Sequence, residues 1–542
     1  MFWEVQFVAG REYAVFWDNG LDFTNVTLKR TAFYSNQYSR FILHFNYTDV
    51  RETFTVTGRK AVAPVGGGLK LNVNHPHGTS YHDKNNKRLS VFISEVPADG
   101  GFSKDSDVKV AAGRCSGTCT VAPNPNEVEA FTRSWNNPFD WRENPNDSSQ
   151  QAAVPGAGAT IVIKPTWNMV YDVTENPPEF AKVVVHGKLS FKDPTGPTKQ
   201  TVELKTKQLI IDTGELSIGT KEVSYKNNAV ITLLGEQNDP THAFSDDVQA
   251  GNKILFVSGN LTLHGSLSAS RVRTRLLAKA VAGSNSLSLP TGLGWVKGQK
   301  IVIGPTSYDY KEHEMLTIVS YDNGSGATVV EPKLNYNHFG ALASEADGQL
   351  NYDFRAEVGL VSRNIKIQGD QRRWGGQVFV AEWVNSTSNV RYAGNAWLKN
   401  VELSRLSQHD TLNAAIRTVD LKTYGLSLDR CSIHSSQGLG VFLRKSKGVS
   451  IKDSVIYETH RNAILVRESE NLVLQDNLIM YNRPRAWDSA VKGKDFQTAV
   501  DICVGEQVTA CKNYLVKGNW ATGGAGIGFT APVDTCDKTA QF

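Results

Sequence analysis

The sequence predicts an all-β protein whose larger part is a right-handed parallel β-helix. From Gly425, similar segments follow one another at a fixed step of 23 residues: GLSLDRCSIHSSQGLGVFLRKSK, then GVSIKDSVIYETHRNAILVRESE, then NLVLQDNLIMYN. Apolar residues alternate with polar ones in each short run, as in strands with one buried face. Helical periodicity is nearly absent from the chain. A step in the low twenties is typical of one coil of a parallel β-helix, whose crossovers are right-handed.

Equivalent positions in these segments predict which residues share a row of the β-helix. The predicted rows are Leu426, Val449 and Leu472; Leu428, Ile451 and Leu474; Ile433, Ile456 and Ile479; Val441 and Ile464; and Leu443 and Val466. One coil of a β-helix stacks about 4.8 Å above the last. Residues of one row are therefore expected to lie on top of one another.

Three regions follow one another along the chain. Residues 1–128 carry short alternating runs such as RFILHFNYT and RLSVFISEV, which predict a β-sandwich-like module. Residues 129–251 hold short strands with Gly or Pro at nearly every turn. Residues 252–542 begin with NKILFVSGNLTLHG and lead into the repeated coils, so they are predicted to form the β-helix.

Composition and charge exclude several classes of protein. A net charge of +4 over 542 residues, with no Lys/Arg run, argues against a dedicated nucleic-acid binder and against a polybasic membrane patch. No long apolar stretch and no signal peptide are visible. We expect a fragment of a longer secreted or tethered protein, which meets a membrane only through a segment outside this chain.

Several segments resemble one family of surface proteins. The stretch from Trp135 to Gln237, followed by GNKILFVSGNLTLHG, is similar to the eight-glycine domain of fibrocystin, fibrocystin-like proteins and the hyaluronan-degrading cell-migration proteins. The later segment CSIHSSQGLGVFLRKSKGVSIKDSVIYETHRNAILV resembles their parallel β-helix repeats. The resemblance covers residues 130–530 and implies that 129–251 is an eight-glycine domain.

The resemblance also implies a location and a role. It points to an extracellular or cell-surface protein, including the surface of a cilium or flagellum. The expected role is a non-catalytic structural or adhesion component whose partners are glycans, other surface proteins or further copies of itself. The alternative is a depolymerase of the hyaluronan type, or a carbohydrate-binding protein without turnover.

The family's catalytic pattern is incomplete in this chain. Where the degrading relatives carry a motif resembling Tyr-Pro-Ile-His/Arg-Phe-His, this chain reads AAIRTV, which keeps Arg417 but has Val419 in place of the final His. Further on, Arg444 and Asn462 stand where relatives place His. The expected proton-transfer groups are therefore missing, which argues against depolymerase activity.

Two carboxylates occupy the same place in successive coils. Asp453 and Asp476 are 23 residues apart, and Arg430 precedes them by one coil. Carboxylates stacked about 5 Å apart raise one pKa, as glycosidic acid/base chemistry needs. The alternative is a turn ladder in which these residues, with Ser454 and Asn477, bond the backbone of the bends.

Other candidate sites have simpler alternatives. In GDQRRWGG, the residues Arg372, Arg373 and Trp374 could form a platform for a sugar, or a basic loop over the solenoid. Three histidines are close enough in sequence to bind a metal, but their Gly/Asn-rich loop favours ordinary exposed histidines, and no metal site is predicted: His75, His77 and His82. His313 points away from Glu312 and Glu314 in a strand, which argues against a joint metal site. No cofactor is expected, and nothing in the sequence supports a Ca²⁺ site.

Cysteines and sequons agree with an oxidising, secretory location. Four of the six cysteines are predicted to form disulfides: Cys115, Cys119, Cys503 and Cys511. The candidate N-glycosylation sites are Asn25, Asn46, Asn146, Asn260, Asn323 and Asn385.

Overall fold

The computed structural model describes most of the chain after residue 128 and the strands that precede it. The described residues are 2–8, 11–18, 23–30, 41–47, 53–60, 70–71, 80–83, 88–95, 108–113, 129, 131–147, 149, 152–244, 248–341, 343–344, 351–370, 374–385, 390–409, 411–422, 425–436, 438–483, 498–503, 511–524 and 526–531. They fall in two compact units, residues 1–120 and 121–542.

The described residues of the first unit form β-strands that pair mostly antiparallel. Its strands are β1 (Phe2–Val8), β2 (Arg11–Asp18), β3 (Phe23–Arg30), β4 (Phe41–Tyr47), β5 (Thr53–Lys60), β6 (Lys70–Leu71), β7 (Ser80–Asp83), β8 (Arg88–Glu95) and β9 (Val108–Gly113). They pair in the order β1-β2-β9-β5-β6-β8-β4-β3, and β7 pairs with β8. Such pairing is compatible with the predicted sandwich-like module.

The second unit is a parallel solenoid with three strand-bearing faces. Face A comprises β10 (Arg133–Ser134), β12 (Asn168–Tyr171), β14 (Lys188–Phe191), β16 (Glu215–Ile218), β21 (Asn260–His264), β33 (Asn395–Lys399), β36 (Leu426–Asp429), β39 (Val449–Lys452), β42 (Glu470–Gln475) and β45 (Lys512–Lys517). Face B comprises β17 (Asn228–Leu233), β30 (Ile365–Gly369), β34 (Val401–Ser404), β37 (Ser432–His434), β40 (Val455–His460), β43 (Leu478–Arg483) and β46 (Trp520–Thr522).

Face C completes each coil. It comprises β20 (Ile254–Val257), β31 (Gln377–Asn385), β35 (Ile416–Val419), β38 (Val441–Arg444), β41 (Ile464–Arg467), β44 (Thr498–Ile502) and β47 (Ile527–Thr530). Faces B and C share their first strands, β11 (Thr160–Ile163), β13 (Glu179–Val185) and β15 (Thr201–Ile211). A short 3₁₀ helix spans Pro138–Trp141.

The rows predicted from the 23-residue step are the rows of the structure. Leu428 pairs with Ile451, and Ile451 with Leu474, while Ile433 and Ile456 pair on face B. These side chains point inward and are at most 1% exposed. Burying one such side chain contributes roughly 1.5–3 kcal/mol, so stacked aliphatic rows are a main source of solenoid stability. The predicted all-β fold and parallel β-helix are confirmed.

An antiparallel sheet interrupts the solenoid between β21 and β30. Its strands are β22 (Arg273–Arg275), β23 (Ser286–Ser288), β24 (Lys300–Ile303), β25 (Glu314–Tyr321), β26 (Ala327–Glu331) and β29 (Glu357–Leu360), in the order β22-β29-β24-β25-β26-β23. We call residues 267–361 the insert. The predicted β-helix range 252–542 therefore includes a segment that is not parallel. The sequence does not distinguish this segment, because apolar residues alternate in the same way in parallel and antiparallel strands.

The insert packs on the outer side of face B. Val302 and Val361 of the insert join Val455, Leu478 and Met480 in one buried apolar cluster. A Cβ at Gly359 would lie 2.9 Å from a methyl group of Val455 and 3.0 Å from one of Leu478, so any larger residue would displace these side chains. The insert therefore covers face B at the coils of β40 and β43.

The remaining elements are short antiparallel pairs. They are β18 (His242–Ala243) with β19 (Gln249–Gly251), β27 (Ala343–Ser344) with β28 (Asn351–Tyr352), and β32 (Val390–Ala393) with the end of β31. The strands of the predicted 129–251 domain are the first coils of the same solenoid, with β16 pairing with β21 and β15 with β20. The domain boundaries remain predictions. Among the described residues, no helix has the length and apolar character needed to span a bilayer.

Candidate functional site

A groove of about 610 Å³ lies where the edge of the insert meets the corner between faces A and B. Its charged lining residues are Arg271, Arg273, Arg275, Arg355, Glu357, Arg430, Asp453 and Asp476, and Trp520 adds an indole. We call this site the arginine groove, because five arginines outnumber three carboxylates. The two stacked carboxylates of the sequence prediction thus lie in one cavity.

The carboxylates project outward from the corner of successive coils. The backbone turns sharply there: φ is 55° at Arg430, 46° at Asp453 and 55° at Asp476. Short polar residues tolerate this left-handed conformation better than most. The next residues point inward and bond the corner backbone, since Ser454 N donates to Asn477 Oδ1 at 3.0 Å. The predicted turn ladder therefore exists, but it is formed by the inward residues Ser454 and Asn477, whereas the aspartates face the groove.

Asp476 is held by neighbours on three sides. Arg273 of the insert reaches its Oδ1 at 3.4 Å, and Gln475 donates to its Oδ2 at 3.0 Å. In the following coil, a Cβ at Gly518 would lie 2.1 Å from Asp476 Oδ1, so glycine leaves the room that this carboxylate occupies. Arg273 also donates to Gly518 O at 2.9 Å. Both carboxylate oxygens of Asp476 are consequently engaged.

Asp453 is the less constrained carboxylate. Partial desolvation in the groove raises its pKa, and the negative charges of Asp476 and Asp429 raise it further. Arg430, one coil earlier, is anchored to the insert by bonds to the carbonyls of Ser270 and Ala269. The corner therefore carries one arginine followed by two carboxylates in successive coils, and it is pinned to the insert at both Arg430 and Asp476.

The opposite wall of the groove is an arginine–indole stack. The guanidinium of Arg275 lies 3.8 Å from the ring centroid of Trp520, whose side chain is 44% exposed. Arg275 also bonds Glu357 and Asp353, and Arg355 bonds Asp353 at 2.8 Å. The bonds from these arginines hold the pKa of Asp353 well below its usual range. Arg275 is thereby held over the indole ring.

The groove combines what recognition of an acidic sugar requires. Guanidinium groups bind carboxylate or sulfate with paired hydrogen bonds, and an aromatic face stacks on the C–H groups of a pyranose ring. Most of these residues are not apparent from the repeats, because Arg273 and Asp476 are 203 positions apart. The signal in the sequence is the alternating run Arg271-Val272-Arg273-Thr274-Arg275, which places three arginines on one side of a strand.

Val419 and Arg444, two positions of the incomplete family pattern, lie on face C, and Asn462 lies at the corner that precedes β41. Val419, Arg444 and Arg467 face one another across successive strands, in the row next to Arg417. Arg467 bonds Asp501 at 2.8 Å. Asn462 is buried and donates to Thr498 O at 2.9 Å, so it ties two coils together.

Arg417 is 8% exposed and lies over the ring of Phe379, with 4.5 Å from its Cζ to the ring centroid. It donates to Asn413 Oδ1 at 2.9 Å and to Gln249 O at 3.2 Å. Burial lowers the pKa of Arg417 to about 10, and the charge of Arg444 acts in the same direction. It remains a cation at neutral pH and cannot act as a general base.

The proposed sugar platform is only partly described. Arg372 and Arg373 lie outside the described residues. Trp374 is half-buried and its indole N–H donates to Asn252 Oδ1 at 2.9 Å, while its carbonyl accepts from Lys253. These contacts give Trp374 a structural role at the start of β31.

His313 and its neighbouring glutamates point in different directions. His313 Nδ1 lies 2.6 Å from the hydroxyl of Tyr457, and its ring stacks on Tyr481 at 3.4 Å. Burial lowers the pKa of His313 to about 4. Glu314 points to the interior of the insert, where it lies 3.0 Å from buried His338. Within the described ranges, no group of three or more His, Cys, Asp or Glu side chains could hold a metal ion.

The remaining candidate residues are placed as follows. Cys503 and Cys511 form a disulfide, whereas Cys115, Cys119, His75 and His77 lie outside the described residues. Asn146 and Asn323 are exposed and Asn260 is half-exposed. Asn25, Asn46, Asn385 and His82 lie on strands, but their side chains are outside the described set.

Two family models match the chain in order. A model of the G8 domain matches residues 146–277, and a model of the right handed beta helix region matches residues 389–531. A solved structure, the Gp54 tailspike of Acinetobacter baumannii bacteriophage AP22 in complex with a capsular saccharide, covers 64% of this chain and 60% of its own. It is 12% identical with a TM-score of 0.17, which is too low to carry an argument.

Curated relatives extend the similarity over nearly the whole chain. Fibrocystin-L of Mus musculus is 26% identical over 96% of this chain and 13% of its own length. Fibrocystin of Canis lupus familiaris is 25% identical over 84% of this chain and 10% of its own length. A cell surface hyaluronidase of Danio rerio is 28% identical over 35% of this chain and 14% of its own length. The chain thus spans about an eighth of fibrocystin-L. It is a homologue of fibrocystin-L and fibrocystin in which a G8 domain is followed by a right-handed β-helix region.

Proposed function

We propose that this chain is part of a non-catalytic extracellular surface protein that binds acidic glycans in the arginine groove. The observation that carries the proposal is an exposed indole beside five arginines, which outnumber the three lining carboxylates together with Asp353. A polymer of uronic acids or sulfated sugars offers carboxylates or sulfates for the exposed Arg271 and ring faces for Trp520.

The rigid solenoid suits a structural or adhesive role. Its groove is formed by a docked insert and by corner residues in successive coils, so the binding groups are preorganised. The disulfide Cys503–Cys511 is typical of an oxidising compartment, and one relative is named a cell surface hyaluronidase. These observations support a location at the cell surface, with a cilium or flagellum as the specific proposal. Other surface proteins or further copies of the chain are proposed as additional partners.

A second candidate function is glycoside hydrolysis by Asp453 and Asp476. Its favouring observation is the raised pKa of Asp453 beside a second carboxylate in the next coil. A retaining glycosidase uses two carboxyl groups about 5 Å apart, one of them protonated. Against it stands Asp476, whose carboxylate already accepts hydrogen bonds from Arg273 and Gln475, which make it a weaker nucleophile.

The first experiment compares acidic and neutral oligosaccharides of matched length by titration calorimetry. We expect hyaluronan and polygalacturonate fragments to bind, with affinity that falls as salt rises, and neutral dextran fragments not to bind. Equal binding of both classes would contradict a site that recognises charge. Addition of Ca²⁺ is expected to leave the affinity unchanged, since arginines supply the positive charge.

The second candidate is tested by the size distribution of the same polymers after incubation. Chains of unchanged length support the binding function. Shortening that is lost in Asp453→Asn and Asp476→Asn would instead assign the groove to hydrolysis. Glu175→Gln, which changes an exposed carboxylate outside the groove, is the control.

A further inference from the structure

Face A carries an exposed indole in the middle of a row of small side chains. Trp397 is 39% exposed, while its strand neighbours Ala396 and Leu398 point into the core. Thr262 precedes Trp397 in the row and Ser427 follows it. The ring therefore overhangs short hydroxyl residues and keeps an open apolar surface.

A cavity of about 470 Å³ adjoins this indole. Polar groups border it, including His264, Ser427 and the ion pair between Lys399 and Asp429, in which Nζ and Oδ2 are 2.9 Å apart. An aromatic surface bordered by hydroxyl, amine and carboxylate groups has the chemistry that binds a neutral sugar.

A sequon lies on the same face beside the indole. Asn260-Leu261-Thr262 places Asn260 and Thr262 outward, because Leu261 and Leu263 are fully buried. Asn260 pairs with Asn395 and Thr262 with Trp397, so Asn260 is one strand and two residues away from the indole. With about 4.8 Å between strands and about 3.3 Å per residue, the Cα atoms are about 8 Å apart.

We infer that Asn260 carries an N-linked glycan whose first sugars pack on the indole of Trp397. The acceptor asparagine is half-exposed, and its Oδ1 accepts from Asn395 Nδ2 at 3.3 Å. Because the sugar is tethered beside the ring, packing is an intramolecular step that avoids most of the entropy lost when free partners associate. The inference requires passage through the secretory pathway but does not depend on glycan binding in the arginine groove.

The test measures how fast a peptide N-glycosidase removes the glycan from the folded, secreted chain. Glycopeptide mass spectrometry gives the occupancy and the removal rate at each sequon. Stacking of about 0.5–1.5 kcal/mol would protect the glycan about 2- to 12-fold, at 1.4 kcal/mol per factor of ten. We expect Trp397→Thr to raise the removal rate at Asn260 by this factor. Threonine is chosen because Thr262 occupies the equivalent position one coil earlier.

Matched controls separate packing from misfolding. Asn323 lies in a turn of the insert, so the rate at this sequon is expected to be unchanged if that glycan is present. Trp397→Phe keeps an aromatic face and is expected to retain most of the protection. An unoccupied Asn260, or equal rates at Asn260 in wild type and Trp397→Thr, would overturn the inference. Two further results in Asn260→Gln would also overturn it: association that depends on protein concentration, or saturable binding of free chitobiose. Either result counts if it is lost in the double variant Asn260→Gln/Trp397→Thr. It would mean that another copy of the chain or a free sugar covers the indole.

Discussion

Replacing Asn477 with alanine removes the centre of the inner ladder at the corner between faces A and B. The side chain is fully buried. Its Nδ2 donates to Ile451 O at 2.9 Å and to Asn519 Oδ1 at 2.8 Å, and its Oδ1 accepts from Ser454 N at 3.0 Å. The Asn477→Ala variant therefore loses bonds to the coil before it and to the coil after it.

The magnitude follows from these contacts. The N–H of Ser454 would be left buried without its acceptor, which costs about 1–3 kcal/mol, and the two lost donor bonds contribute roughly 0.5–1.5 kcal/mol each. We expect the free energy of unfolding to fall by roughly 2–6 kcal/mol. Asp453→Asn at the same corner changes an outward side chain and is expected to stay within about 0.5 kcal/mol.

Urea denaturation followed by far-ultraviolet circular dichroism measures both variants. Hydrogen exchange over residues 448–482 then shows whether the loss is local to these coils, as expected of a solenoid in which each coil contacts only its neighbours. A loss below about 1 kcal/mol in Asn477→Ala would refute the reasoning, as would an equal loss in the Asp453→Asn control.

Two further predictions concern the insert. The pKa of His313 is lowered to about 4 from an ordinary 6.5, so the unfolded chain takes up a proton first and stability falls as the pH drops from 6.5 towards 4. In His313→Gln, the urea midpoints of unfolding at pH 7 and pH 5 are expected to differ less than in wild type. The same difference in both proteins would contradict the lowered pKa of His313. Gly359→Val adds methyl groups at a position where even a Cβ would lie 2.9 Å from Val455. We expect this variant to lower the free energy of unfolding by about 1–3 kcal/mol in a urea titration. Gly324→Ala, in an open turn, is the control and is expected to leave it unchanged.

The repeated coils could be predicted because the residues that contact one another recur at a fixed spacing in the sequence. A row such as Leu428, Ile451 and Leu474 needs the same residue type every 23 positions, and this period is visible without a structure. The insert carries no such period. Its strands alternate like those of the solenoid, and the strand order β22-β29-β24 depends on contacts between distant segments.

The candidate site was predictable only where it belongs to the repeat. Asp453 and Asp476 share a position in the coil, which predicts that they stack. Arg273 and Trp520 reach the same groove from the insert and from a later coil, and no local pattern places them there. The aspartates point outward and Asn477 points inward because the backbone is left-handed at this corner. The sequence does not show which of two adjacent polar residues turns inward.

The most direct test of the account is the affinity of a uronic-acid oligosaccharide for wild type, Arg271→Gln, Trp520→Ala and Trp397→Ala, measured by calorimetry under one salt condition. Arg271 is an exposed lining residue, and Trp397 is an exposed indole on face A outside the groove. We expect the affinity to fall about tenfold in Arg271→Gln and in Trp520→Ala, which corresponds to a loss of about 1.4 kcal/mol, and to stay unchanged in Trp397→Ala. Equal affinity in all four proteins would contradict the arginine groove as the glycan-binding site.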